Sequence, residues 1–152
     1  MRTSLPLLAS VLALSAASIA SAADTPVGEI KGSALAHTAA SAAEVVARAD
    51  VALPASVAGG KVFFGKWKDA PATTAKVPTV LFLHGSSGLS LKAIEEWQRW
   101  LADQGWASMA PDSFALPDRL TYKSPIDKPT YEKLHAFRGS EIDIALSALK
   151  GA

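Results

Sequence analysis

Cysteine is absent from the chain. Its absence excludes disulfides, thiolate metal sites and a cysteine nucleophile, and leaves an ordinary hydrophobic core as the source of stability. An excess of charge of one sign is missing too, since 15 Lys+Arg stand against 14 Asp+Glu. Arg2 is the only charged residue among residues 1–22, so without that stretch the balance is 14 to 14 and the net charge 0. No basic surplus exists to neutralise phosphates, so nucleic acid is not an expected partner. Histidine is scarce: His37, His84 and His135 lie far apart, with no H-x-x-x-H or H-E-x-x-H spacing. Neither a metal nor another cofactor is therefore expected.

The N-terminus is where hydrophobicity concentrates. Met1-Arg2 gives one positive charge, an apolar stretch runs from Leu5 to Ile19, and Ala20-Ser21-Ala22 supplies a small-x-small cleavage pattern before Asp24. These are the parts of a secretory signal, with cleavage expected after Ala22 and a periplasmic or extracellular destination. The alternative is an uncleaved anchor, but the apolar part is shorter and richer in Ala and Ser than a span of about 20 strongly apolar residues. No membrane association is expected after cleavage.

Residues 23–50 read as an Ala-rich linker or a loosely docked helix. Leu35, Ala39, Ala42 and Val46 share helical spacing, but a face made mostly of Ala buries little area. His37 in this stretch has no chemistry beside it in sequence and reads as solvated. From Val51 onward the pattern is that of a packed domain, 51–152. Val51–Leu53 and Lys61–Trp67 flank a Gly59-Gly60 turn and predict an antiparallel hairpin. Thr79–His84 is apolar without alternation, as in a strand of a parallel sheet buried on both faces.

A helix follows that strand, with Ser90 as N-cap, Leu91, Ile94, Trp97 and Leu101 on its inner face, and Gly105 as the left-handed residue after its end. Trp106–Ala110 is the next strand. Strand, helix and strand make a right-handed βαβ unit. Residues 113–129 predict a loop, and Thr130–Leu149 a last helix with Tyr131, Leu134, Arg138, Ile142, Ala145 and Leu149 on one face and a break or kink at Gly139.

The segment that suggests chemistry is His84-Gly85-Ser86-Ser87-Gly88. A parallel strand ending in such a loop leaves backbone N–H groups at the carboxyl edge of the sheet, where open α/β sheets bind ligands. An oxyanion hole needs such donors fixed in advance. The plain alternative is a structural turn with His84 packed in place. Other candidates are weaker. Ser86, Ser87, Ser108 and Ser113 are available hydroxyls, but neither His84 nor His135 has a reason to approach one within about 3 Å, the reach a base requires. Asp112 after Pro111 reads as a turn or cap residue, and Asp118 lies near the same sheet edge. Trp97 and Trp100 are expected in the core, and Lys123, Lys128 and Lys133 on a solvated surface.

From Pro78 to Leu149 the chain resembles the α/β-hydrolase superfamily, and within it the dienelactone hydrolase family. The likeness rests on the apolar strand into His84-Gly85-Ser86-Ser87-Gly88, the helix with Trp97 and Leu101, and Gly105-Trp106 opening the next strand. It continues through Ala110-Pro111-Asp112-Ser113-Phe114 and through Arg138, Ala145-Leu146 and Leu149. What the resemblance implies is an α/β architecture that is part of a hydrolase fold: a mostly parallel sheet, an N-terminal antiparallel hairpin and flanking helices. It also implies hydrolysis of carboxylic esters or lactones by a Ser or Cys nucleophile, a His base and an acid, with Ser86 N–H donating to the oxyanion. In that family His84 is structural, and the nucleophile sits on a G-x-S-x-G or G-x-C-x-G elbow after the last helix. Neither pattern occurs in the 152 residues. The expectation is a chain that stops short of the catalytic triad and is inert alone or serves as a small binding domain. It is further expected to be marginally stable and prone to self-association through an open sheet edge.

Overall fold

The computed structural model describes residues 28–151; the expected signal sequence and its cleavage point lie outside them. The centre is a four-stranded sheet in the order β3-β2-β5-β4, formed by β2 (Asp50–Leu53), β3 (Phe63–Lys66), β4 (Thr79–Leu81) and β5 (Ala107–Ala110). The hairpin forms as its Gly-Gly turn requires: both Gly59 and Gly60 have positive φ, and Val51 pairs with Gly65 and Leu53 with Phe63. β2 is antiparallel to both neighbours, and only β4 and β5 run parallel. The sheet is therefore mixed and not mostly parallel, because two of its three pairings, β2 with β3 and β2 with β5, are antiparallel. β1 (Ile30–Lys31) and β6 (Thr121–Tyr122) form a separate antiparallel ribbon.

Helices cover both faces. Alternation along the strands turns Val51, Leu53, Ala107 and Met109 toward one face. There they form a core cluster with Ala49 and with Ala145 of α3 (Lys128–Gly151). Ala52, Ser108 and Ala110 turn to the other face, under α2 (Lys92–Asp103). That surface of small side chains accepts Ile94, Gln98 and Ala102, which are buried at i, i+4 and i+8, and Gln98 Nε2 donates to Asp50 O at 3.2 Å. Trp97 and Trp100 consequently point outward, 57% and 51% exposed, stacked edge to face at 5.5 Å. The expected inner face of α2 was thus rotated by about one residue: hydrophobicity suggested tryptophan, but the small residues beneath decided the fit.

The ends of α2 follow different rules. Leu91, not Ser90, is the N-cap and makes no side-chain cap bond, while Ser90 Oγ donates to Ser87 O at 3.0 Å. At the other end Gly105, with φ 86°, donates to Ala102 O at 3.0 Å and Trp106 N–H to Leu101 O at 2.9 Å. These are the paired bonds of a Schellman motif, which satisfies carbonyls the helix itself leaves free.

α1 (Ala39–Ala47) is firmly docked. Val45 and Ser41 are buried, and Thr38 caps the helix through a reciprocal box with Ser41. α3 runs unbroken through Gly139, whose position opens onto free space. Its buried residues are Leu134, Phe137, Glu141 and Ala145, while Tyr131 and Ile142 are exposed. β4 is shorter than its apolar run and lies at the sheet edge, so Thr79 is exposed and Val80 and Leu81 only half-buried.

Candidate functional site

β4 and β5 end side by side, since Leu81 pairs with Met109 and Phe82 N–H donates to Met109 O at 2.9 Å. The loop after β4 (His84–Gly88) and the loop after β5 (Pro111–Leu116) therefore meet at one sheet edge. His84 joins them. Its side chain is buried, and its Nε2 accepts from the Ser113 backbone N–H at 3.0 Å. An acceptor Nε2 puts the ring proton on Nδ1, which donates to Gly85 O at 2.8 Å. Both ring nitrogens are thus occupied by the backbone. Burial holds the imidazole below its ordinary pKa of 6.5, with the Arg138 charge adding to that effect and backbone and carboxylate neighbours opposing it. His84 is a neutral staple and not a proton shuttle.

Phe114 stacks on His84 with centroids 5.3 Å apart. It also sets the requirement at Gly88, where φ is 67° and an added Cβ would stand 3.0 Å from the Phe114 ring. Gly88 N–H closes the turn onto Gly85 O at 3.1 Å. Arg119 lies over Phe114, 4.6 Å from the ring centroid, and donates through Nε to Ser113 Oγ at 2.8 Å. Asp112 caps the short turn Ser113–Ala115, accepting from Phe114 N–H at 3.0 Å, and pairs with Arg48 at 2.8 Å. Ser86 and Ser87 are exposed, and their N–H groups donate to no acceptor among the described residues.

Beneath the loop is a buried ionic group that sequence reading did not find. Arg138 Nη2 donates to His84 O at 2.7 Å, and Arg138 Nη1 to the Glu141 carboxylate. Glu141 is fully buried, and its other oxygen meets His37 Nε2 at 3.3 Å. His37 is stacked on Phe137 at 4.9 Å, so the expectation of a solvated side chain is corrected. The available signal was positional: Phe137, Arg138 and Glu141 share one stripe of α3, and a buried acid in such a stripe requires cations beside it.

His37 Nδ1 also meets Ser41 Oγ at 3.3 Å, so Ser41, His37 and Glu141 follow one another in nucleophile, base and acid order. The serine is already committed. Its Oγ accepts from Thr38 N–H at 2.9 Å and donates to Thr38 O at 3.2 Å as part of the helix cap. Ser108 and Ser113 are equally unsuited, and the exposed Ser86 and Ser87 hydroxyls have no histidine bonded to them. Ser113 Oγ is occupied by Arg119, Ser108 Oγ is sealed in the core with no partner, and His135 is exposed against Tyr131. Asp118 holds the N-terminal segment instead of a ligand: its φ is 52° and its carboxylate accepts from Ser33 Oγ at 2.7 Å. No group of three or more His, Asp or Glu side chains arranged to hold a metal occurs among the described residues. Two surface grooves of about 750 and 760 Å³ lie along α1 and α3 and include no residue of the 84–88 loop.

The arrangement offers rigid, solvent-facing amides without a free base beside a free hydroxyl. No protein-family model, curated protein or solved structure matches this chain.

Proposed function

We propose that this chain is an exported dienelactone-hydrolase-like protein whose His84–Gly88 loop is the oxyanion-stabilising element of an ester- or lactone-hydrolysing α/β-hydrolase fold. One observation carries the reading. Ser86 N–H is left without an acceptor at the carboxyl end of two parallel strands, in a peptide unit whose carbonyl is already bound by His84 Nδ1. A donor fixed before the reaction costs no reorganisation when negative charge develops on a carbonyl oxygen. The expected ligand class is a small carboxylic ester or lactone. Within the 152 residues the loop binds and does not turn over, because every histidine is engaged or exposed away from a free serine.

The test has two parts. Titrating ¹⁵N-labelled full chain with methylphosphonate, a small tetrahedral oxyanion, is expected to shift the Ser86 amide proton downfield with saturation. No change at Ser86 would remove the oxyanion reading. In parallel, p-nitrophenyl acetate turnover and fluorophosphonate labelling are expected to be absent, and stoichiometric labelling of a serine would refute binding without turnover.

A further inference from the structure

We propose that Arg138, aligned by Glu141 and His37, is a positioning residue that aims the Gly85 N–H toward the ligand side of the 84–88 loop. This role rests on the oxyanion reading of that loop. The physical step is the geometry of a trans peptide, in which the carbonyl of one residue and the N–H of the next point in opposite directions. His84 O and Gly85 N–H belong to one such unit, and Gly85 O and Ser86 N–H to the next. Arg138 Nη2 holds the first carbonyl at 2.7 Å and His84 Nδ1 holds the second at 2.8 Å. Each N–H is therefore turned away from the buried side by a bond to the oxygen of its own peptide unit. The Gly85 N–H, like that of Ser86, meets no acceptor among the described residues.

Arg138 suits this role because it cannot easily turn. Its guanidinium is largely buried, and Nη1 is tied to a fully buried carboxylate. Glu141 is held in turn by His37, and His37 is fixed by its stack on Phe137 and by Ser41 of the α1 cap. A planar guanidinium bound at two of its nitrogens presents the remaining geometry rigidly, and a charge-assisted bond to a carbonyl is stronger than a neutral one. The chain of contacts runs from the N-terminal end of α1, through the middle of α3, to the first peptide of the loop. It makes the direction of the Gly85 amide depend on whether the segment around His37 is seated.

Arg138→Met alone leaves Glu141 buried with little compensation and endangers folding. The informative variant is therefore Arg138→Met with Glu141→Leu, which removes both charges together. The reading is the N–H order parameter and residual dipolar coupling of Gly85 in the ligand-free full chain. The Gly85 order parameter is expected to fall from the rigid value of about 0.85 to below about 0.6, while β2 and β5 amides keep theirs. Its dipolar coupling shrinks in parallel. A folded double variant with an unchanged Gly85 coupling would overturn the positioning role. Because no anion is present, this result is independent of the methylphosphonate titration. A wild-type loop that fails to bind the anion sinks the oxyanion reading, whereas an unaltered Gly85 vector sinks only Arg138's part in it.

Discussion

Acidification is expected to undo the junction of the two loops at His84. In the folded chain the imidazole is neutral, with Nε2 accepting from Ser113 N–H and its pKa held below 6.5 chiefly by burial. Protonation would turn Nε2 into a donor facing another donor. Since the unfolded chain takes up the proton at the ordinary pKa, the stability associated with neutral His84 is complete above pH 6.5. It is lost as pH falls from there through the lower folded value, with a slope of at most about 1.4 kcal/mol per pH unit. His84→Phe keeps the stack on Phe114 but cannot titrate. It leaves the Ser113 N–H unpaired in the interior and removes the bond to Gly85 O, a cost of about 2–4 kcal/mol at pH near neutrality. Urea unfolding followed by tryptophan fluorescence measures both chains. The stability gap between them should narrow steadily as the pH falls below 6.5. Other titrating groups are common to both proteins and cancel in the difference. A gap that stays constant as the pH falls below 6.5 would mean that His84 is not a buried neutral acceptor.

Two glycines with positive φ should respond differently to alanine. Gly105 opens onto free space, so Gly105→Ala costs only its left-handed conformation, about 1 kcal/mol. Gly88→Ala adds a collision with Phe114 and is expected to cost about 1 kcal/mol more, with a changed His84–Phe114 stack visible in their ring proton shifts. On α2, Trp97→Gln and Trp100→Gln should change unfolding free energy by no more than about 0.5 kcal/mol, because both rings already meet solvent. Met109→Ala, in the centre of the sheet and fully buried, should cost about 2–5 kcal/mol in the same urea assay.

The elements with strong local chemistry were readable in the sequence. The Gly59-Gly60 hairpin, the βαβ unit and the Gly105 helix end all form where their residues demand. The loop at His84 also falls at the expected sheet edge, because an apolar strand followed by small residues has few other ways to end. What periodicity did not determine was rotation. On α2 a hydrophobic count favoured Trp97, but the small surface of Ala52, Ser108 and Ala110 selects Gln98 and Ala102. On α3 the inward stripe includes Glu141, a residue that no hydrophobic pattern would turn inward. Its burial depends on His37, about a hundred residues earlier, and on Arg138. Such pairing is a property of the assembled fold and leaves no local mark. The same is true of the strand pairing that makes the sheet mixed: nothing within Asp50–Leu53 announces that it lies antiparallel to Ala107–Ala110.

The β1–β6 ribbon sets a constraint on timing. Residues 28–34 are held across the ribbon by partners near the far end of the loop before α3: Ser33 by Asp118, 85 positions away, Ile30 by Tyr122 and Gly28 by Pro125. At a synthesis rate of about 5–20 residues per second, those partners follow roughly 4–17 s later. Until then residues 28–34 have none of these partners to pair with.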